Sequence, residues 1–222
     1  MSTYKTCRWL TVVIVAVATC STLGVAMADD EPKGQTGAEL DATVQRMMRE
    51  SFTSATAEEW KQRLEQDEVQ KLCSQYRNQP PPDVAQKIIA LSSREFRYPA
   101  NGELMGDWRK GEKLASSGKG GHIGHIRPDP PGRKRGANCY ACHALAPSEL
   151  AAGNLGPSLT GYGILYGTSP QTLKRVYQKI YNAQAFYACS QMPRFGYNSW
   201  LTPEEVADAV AFLLDPESPV NK

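Results

Sequence analysis

The stretch that decides the fold of this 222-residue chain is residues 136–143, which read GANCYACH. Two residues separate Cys139 from Cys142, and His143 follows directly, which is the C-x-x-C-H attachment signature of a c-type haem. Two thiols at this spacing can add to the two vinyl groups of one porphyrin, while the adjacent histidine is placed to bind the iron. The sequence therefore predicts one covalently attached haem c, with Cys139 and Cys142 as its attachment sites.

Two other chemistries use cysteines at this spacing. A thioredoxin-like C-x-x-C needs a βαβ context, and no such pattern surrounds the motif. A zinc site needs a second pair of ligands at suitable spacing, for which His122 and His125 are the candidates. The export signal at the N-terminus favours haem over both, because c-type attachment takes place outside the cytoplasm.

The first 28 residues have the features of a secretory signal peptide. Lys5 and Arg8 precede an apolar run over residues 10–18, and a small-x-small cleavage site ends at Ala28. The apolar run is shorter than the roughly 20 residues that a membrane-spanning helix requires. We therefore expect cleavage after Ala28 and a periplasmic protein with no membrane segment in its mature form.

Lipidation at Cys20 is the weaker alternative, because Thr19 replaces the small residue that usually precedes a lipidated cysteine. The whole chain has 25 Lys and Arg residues against 23 Asp and Glu. Two of the basic residues lie in the signal peptide, so the mature chain is neutral. A neutral chain lacks the basic footprint that nucleic-acid binding requires, and we expect no nucleic-acid partner.

Met192 is the candidate for the second axial ligand of the iron. It is the only methionine after His143, and no histidine follows. It lies in a turn containing Pro and Gly that is able to cover the second haem face, and His/Met ligation suits electron transfer. His122 and His125, before the motif, remain rival ligands, and Met105 is a less favoured third.

Two further contacts are predicted near the site. The backbone carbonyl of Pro157 is placed to accept the free ring N–H of His143, which would fix the tautomer of the iron ligand; an ordinary turn is the alternative. Cys73 and Cys189 are the cysteines left after processing and haem attachment, and an oxidising compartment favours a disulfide between them. The alternative is two unpaired thiols, with Cys73 as a small core residue.

Apolar residues at helical spacing predict an all-α protein. Helices are expected from Glu39, from the capping box at Thr56 through Tyr76, from an Asp83 cap, from Asp107, and from Thr202. The last is expected to pack across the helix that contains Trp108. A turn at residues 98–102 separates a small helical extension, residues 29–100, from a haem domain, residues 101–222. A long loop rich in Gly and basic residues covers 116–136.

Five stretches together resemble SoxX, the monohaem subunit of the periplasmic SoxAX cytochrome of sulfur-oxidising bacteria. The resemblance covers about residues 106–216 and is more specific than the haem motif alone. The stretches are GANCYACH at 136–143, GPSLTGYG at 156–163, IYNAQA at 180–185, MPRFG at 192–196 and LTPEEVADAVAFL at 201–213.

The resemblance implies a class I cytochrome c-like haem domain, with Cys139 and Cys142 bound to haem, His143 as proximal ligand and Met192 as distal ligand. It implies a heterodimer with a SoxA-like cytochrome subunit, an L-cysteine S-thiosulfotransferase that joins thiosulfate oxidatively to a cysteine of a SoxYZ-like carrier. Electrons would then pass to an acceptor cytochrome c. The sulfur chemistry belongs to SoxA in that family, so no catalytic residue is expected on this chain.

The alternative is a free-standing, diffusible periplasmic cytochrome c that shuttles electrons between unrelated partners. The resemblance assigns no role to the N-terminal extension or to the Gly-rich loop. If the chain is a SoxA-bound subunit, at least two aromatic residues near the haem are expected to be exposed on the isolated chain and buried in the complex. The candidates are Tyr162, Tyr166, Phe186, Tyr187 and Tyr197.

Overall fold

The computed structural model describes residues 37–120, 132 and 134–222, apart from the side chains of residues 62 and 63. The expected signal peptide and the candidate ligands His122 and His125 lie outside the described residues. Within them the chain is helical and has no strand, which confirms the predicted fold class. The α-helices are α1 (Gly37–Ser51), α2 (Ala57–Glu59), α3 (Glu68–Gln75), α4 (Pro82–Ser92), α5 (Trp108–Ser116), α6 (Tyr162–Tyr166), α7 (Pro170–Tyr181) and α8 (Pro203–Leu214).

Of the described residues, 37–45 belong to one unit and those from 46 to 222 form a second, compact unit. Helices α2 to α8 all belong to the second unit, so α2 to α4 of the N-terminal extension lie in the same body as the haem motif. The turn expected near residue 100 is present, and the Gly102 N–H donates to the Pro99 carbonyl at 2.9 Å.

The prediction of one helix from Thr56 through Tyr76 is wrong. The capping box at Thr56 is present, but α2 continues through a π-helical turn over Trp60–Leu64 and ends where Glu65 adopts extended backbone. A second capping box then starts α3: Asp67 accepts from the Gln70 N–H at 2.8 Å, and the Gln70 side chain accepts from the Asp67 N–H at 3.0 Å. This reciprocal pair satisfies N–H groups that a new helix leaves open, so the chain restarts at Asp67.

The predicted cap of the next helix is also wrong by two residues. Pro81 occupies the cap position of α4 and Pro82 its first turn, with Asp83 one residue further in. Proline suits the first helical position because its missing N–H would have no partner there. Asp83 keeps a favourable place in the positive first turn of the helix.

The haem domain closes where α5 and α8 cross. Asp107 caps α5 as predicted, and Thr202 starts α8 with a capping box. The backbones approach so closely at Gly111 that an added Cβ would collide with the Asp208 carbonyl and the Phe212 side chain. The predicted packing of α8 across the helix of Trp108 is confirmed, and glycine is what permits it.

Helix α7 completes the core and was not predicted from the sequence. Its start carries a clear signal, since Ser169 caps it and Pro170 occupies its first position. It buries Val176, Tyr177 and Ile180, which pack with residues of α8 in the largest apolar cluster.

The segment that follows α4 runs along α7. The buried Asn182 donates to the Ser92 carbonyl at 3.0 Å, and the Tyr177 hydroxyl donates to the Arg97 carbonyl at 2.7 Å. These bonds join the end of the extension to the helix that leads toward Met192.

Candidate haem site

The motif cysteines and histidine are held on one tight turn. Cys139–Ala141 forms a 3₁₀ turn that begins after Asn138, whose backbone is left-handed with φ 47° and ψ 47°. The N–H groups of Cys142 and His143 both donate to the Cys139 carbonyl, at 3.1 and 2.9 Å. The spacing of the motif therefore places both sulfurs and the ring on a compact stretch of backbone, as one porphyrin requires.

Both thiols are unpaired and half-buried. Burial raises the pKa of the Cys139 thiol to about 11, and the nearby Cys142 adds to the rise, while a backbone hydrogen bond opposes it. Cys139 is therefore a neutral thiol in the folded chain at neutral pH. Cys139 therefore lacks the lowered pKa that is typical of the nucleophilic cysteine of a redox-active C-x-x-C pair.

The His143 ring is oriented for metal binding. Its Nδ1 lies 2.7 Å from the Pro157 carbonyl oxygen, which is the contact that the sequence predicts. A carbonyl only accepts, so Nδ1 carries the proton and Nε2 keeps its lone pair for a metal. Gly156 lies against the ring, where any Cβ would collide with it, and its N–H donates to the Cys142 carbonyl at 2.8 Å.

These features fit a covalently bound haem. The chain provides two free thiols, an imidazole with Nε2 available and a glycine that leaves room beside the ring. When bound, the haem iron supplies one-electron transfer. Across residues 37–120, 132 and 134–222 no group of three or more His, Cys, Asp or Glu residues is placed to hold a metal ion.

Met192 lies in a loop that the structure places against the main core. We call residues 189–197 the distal loop. The Met192 side chain is half-buried and packs against the cluster that contains Tyr181 and Phe195. Its N–H donates to the Ser190 hydroxyl at 3.3 Å.

The two halves of the site meet beside the first residues of the motif. The Trp200 indole N–H donates to the Gly136 carbonyl at 2.8 Å. A cavity of about 350 Å³ next to this bond is lined by Ala137 and Asn138 from the motif side and by Pro193, Arg194 and Phe195, among others, from the distal side. Residues of the distal loop and residues 137–138 therefore line the same cavity, beside the bond between Trp200 and Gly136.

Cys73 and Cys189 form a disulfide, with their Cα atoms 5.4 Å apart. Both are buried and pack with Val69 and Ile88, so α3, α4 and the distal loop share one small apolar cluster. The bond joins the extension to the chain three residues before Met192.

A second link between the extension and the distal loop, an ion pair, was not predicted from the sequence. Arg194 Nη1 lies 2.7 Å from Asp67 Oδ2, and the Arg194 side chain is only 6% exposed. The guanidinium also lies over the Tyr197 ring at 4.6 Å. Arg194 lies two residues after Met192 in the MPRFG stretch, which marks it as a residue close to the candidate ligand. Nothing in the sequence indicated that Asp67 is its partner.

Aromatic and aliphatic side chains are exposed on the haem domain. Tyr166 is 54% exposed, Tyr187 59% and Tyr197 39%, whereas Tyr162 and Phe186 are half-buried. Helix α6 adds two exposed neighbours, Ile164 and Leu165.

Comparison with known proteins agrees with this geometry. The family of cytochrome c oxidase, cbb3-type, subunit III matches residues 132–213, which include the motif and the distal loop. An uncharacterised lipoprotein of Aquifex aeolicus (strain VF5) is 48% identical over 159 residues, which cover 71% of this chain and 73% of that protein. In the described part of the chain, no helix is long and apolar enough to span a membrane.

The fold, the motif and the family match define a c-type cytochrome domain with covalently bound haem c. The predicted cofactor is thereby confirmed. Beyond that class, the chain belongs to the same family as the Aquifex aeolicus lipoprotein.

Proposed function

We propose that this chain is the electron-transfer monohaem subunit of a periplasmic SoxAX-type enzyme. The observation that carries the proposal is that stretches resembling SoxX contact one another in the fold. The Gly156–Pro157 pair contacts His143, and the carbonyl of Tyr181 accepts the N–H groups of Gly196 and Tyr197 at 3.1 Å each. A resemblance that followed the haem motif alone would not include this distal set.

The proposed role follows from the chemistry of oxidative conjugation. Joining the thiol R–SH to thiosulfate, S₂O₃²⁻, gives R–S–S–SO₃⁻ with the release of one proton and two electrons. A monohaem protein carries one electron at a time, so each conjugation requires two deliveries to an acceptor cytochrome c. The bond between sulfur atoms would form on the SoxA-like subunit, between thiosulfate and the cysteine of a SoxYZ-like carrier.

The chain itself would contribute no catalytic side chain to the thiosulfotransferase reaction. The groups described above would serve one cofactor: two attachment thiols, one oriented imidazole and one thioether. This set suits electron transfer, because His/Met ligation raises the reduction potential and fills both axial positions.

The exposed side chains of α6 and of Tyr187 favour a fixed partner over a diffusible shuttle. Ile164 and Leu165 are 74% and 73% exposed and lie beside Tyr166. Permanent complexes bury large apolar surfaces, whereas transient redox pairs use small polar contacts. The partner of this surface would be the SoxA-like subunit.

Co-expression with a SoxA-like protein tests the proposal. We expect a one-to-one complex that survives physiological salt, with haem reduction that depends on thiosulfate and on a SoxYZ-like carrier. Failure to co-purify, or thiosulfate-dependent reduction of the isolated chain at the rate of the complex, would favour the shuttle.

A paired substitution locates the interface. The double variant Tyr166→Ser/Tyr187→Ser should weaken the complex at least tenfold, since aromatic anchors near an interface centre often carry more than about 1 kcal/mol each. Met47→Ser is the matched control, because Met47 is 56% exposed but lies outside residues 106–216, which the resemblance covers. Equal effects of the two substitutions would place the interface elsewhere.

We propose a periplasmic location for the mature chain, released by cleavage after Ala28. The name of the Aquifex aeolicus relative, a lipoprotein, favours lipidation at Cys20 as a second route to the same compartment. Mass spectrometry of the exported protein separates the two routes. A mature N-terminus at Asp29 supports cleavage, and an acylated Cys20 would replace it with a membrane-attached form.

A further inference from the structure

The distal loop is attached to one helix of the N-terminal extension on both sides of Met192. On one side the Cys73–Cys189 disulfide joins the loop to α3. On the other side Arg194 is paired with Asp67, the residue that caps the same helix. Met192 thus lies between two anchor points that are only six residues apart on the extension.

The ion pair is well suited to act as an anchor. The Arg194 side chain is 6% exposed and that of Asp67 is 32% exposed, so the pair is screened less than a surface salt bridge. A buried guanidinium without its carboxylate is strongly destabilising, so the Arg194 side chain is held beside Asp67. Asp67 is itself fixed by the capping box with Gln70.

Packing alone leaves the loop incompletely supported on this side. A cleft of about 290 Å³ separates the loop from α3, and its lining is largely polar: Gln66, Gln70, Gln184, Ser190 and Gln191 line it together with Met192 and Arg194, among others. The backbone of Cys189 is left-handed, with φ 57°, a conformation that a non-glycine residue adopts only when its surroundings hold it there. The links across the cleft therefore restrain this segment from the α3 side, in addition to its packing on the main core.

We propose that Asp67 is a positioning residue for the axial ligand Met192. Through Arg194, and together with the Cys73–Cys189 disulfide, it holds the distal loop so that the Met192 sulfur stays on the haem iron. The extension, to which the resemblance assigns no role, is in this proposal a clamp on the distal ligand. The proposal rests on Met192 ligation and is independent of any SoxA-like partner.

The test uses the oxidised holoprotein and imidazole as the probe. Imidazole binds ferric iron only after Met192 has left it, so its binding rate reports how often the loop opens. The weak thioether-to-iron charge-transfer band measures Met192 ligation directly. Neither measurement depends on electron-transfer activity.

Asp67→Asn is the decisive variant. Asparagine caps a helix as well as aspartate does, so the capping bond to Gln70 is kept while the negative charge facing Arg194 is lost. We expect imidazole to bind about ten times faster than in the unaltered protein, with a weaker band at neutral pH. The matched control is Glu68→Gln, which removes the exposed Glu68–Lys87 pair (2.9 Å) at the same end of α3.

A double-substitution cycle shows whether the two charged residues act together. Arg194→Gln should raise the imidazole rate as Asp67→Asn does, and the double variant should show little further increase. Effects of the two single variants that multiply in the double variant would mean that the pair does not act as a unit, and would overturn the proposal. So would an unchanged rate and band in Asp67→Asn.

Cys73→Ser/Cys189→Ser tests the second anchor. This variant should also bind imidazole faster and should become more sensitive to Asp67→Asn, since one anchor then remains. Absence of the charge-transfer band from the unaltered protein would overturn Met192 ligation and the clamp together. A band that is present but insensitive to these substitutions would overturn the clamp alone.

Discussion

The two sides of the haem site are built in different ways. On the proximal side, His143 contacts Pro157, 14 residues further along the chain, and the motif turn is closed by bonds within a few residues. On the distal side, Arg194 contacts Asp67 across 127 residues and Cys189 contacts Cys73 across 116. The contacts of the haem motif are thus local in sequence, while the loop that carries Met192 is joined to a separate helical segment.

The largest expected effect comes from removing the distal ligand itself. Met192→Ala should abolish the thioether-to-iron charge-transfer band and lower the reduction potential by a sizeable part of the ~0.8 V range that axial ligands span. Absorption spectroscopy and potentiometric titration measure both. Persistence of the band in the variant would transfer the ligand role to His122 or His125.

Removing the Cys73–Cys189 disulfide should disturb the haem less than Met192→Ala does, but it should lower the stability of the whole fold. Cys73→Ser/Cys189→Ser is expected to lower the free energy of unfolding by about 3 to 5 kcal/mol in the chain-entropy model, because the bond closes a long loop. Denaturant unfolding of the holoprotein measures the change. Thiol titration of the denatured, unreduced protein should find no free sulfhydryl, and a count near two would remove the basis of this prediction.

A substitution on the proximal side should change the stability of the fold without changing the opening of the distal loop. Gly156→Ala places a methyl group against the His143 ring and should lower the free energy of unfolding by about 1 to 3 kcal/mol through overpacking. The rate of imidazole binding on the distal side should stay the same. Gly37→Ala is the control, since a Cβ there meets no neighbouring atom; a distal effect of Gly156→Ala would blur the distinction between the two sides.

The smallest expected effect concerns the bond between α7 and the extension. Tyr177→Phe removes the hydroxyl that donates to the Arg97 carbonyl and should cost about 1 kcal/mol at neutral pH. Burial also raises the pKa of Tyr177 well above its usual range. The unfolded chain therefore loses this proton near pH ~10 while the folded chain keeps it, so stability falls as the pH rises above that value.

Tyr177→Phe should reduce that loss of stability above pH ~10, which thermal unfolding at pH 8 and pH 11 would measure. The exposed Tyr187→Phe is the control. An equal reduction by both variants would mean that burial of Tyr177 is not the cause.

The sequence was informative where contacts are local. The motif, the Pro157 contact and the caps at Asp107 and Thr202 all lie within short stretches whose residue types determine their geometry. Counting the cysteines that survive processing led to the pairing of Cys73 with Cys189, although these residues are far apart in the chain.

The remaining features depend on which parts of the chain meet. The break before α3 was missed because the apolar residues before and after Asp67 were assigned to one continuous helix. The reciprocal bonds between Asp67 and Gln70 are what show that a new helix begins there. The Asp67–Arg194 pair was missed because single charges carry no information about distant partners. Helix α7 was missed although its Ser169–Pro170 start and the helical spacing of its apolar residues are both visible in the sequence.

The contact of Gly111 with Asp208 and Phe212 bears on the order in which parts of the protein fold during synthesis. Helices α5 and α8 are far apart in the sequence of the haem domain, and the Asp107 N–H donates to the Asp208 side chain across 101 residues. The contacts between α5 and α8 therefore cannot form until α8 has been synthesised. The Cys139–Cys142 turn emerges well before that moment, while its thiols are still in water. Until α8 docks, these thiols are less covered than in the folded chain, where both are half-buried.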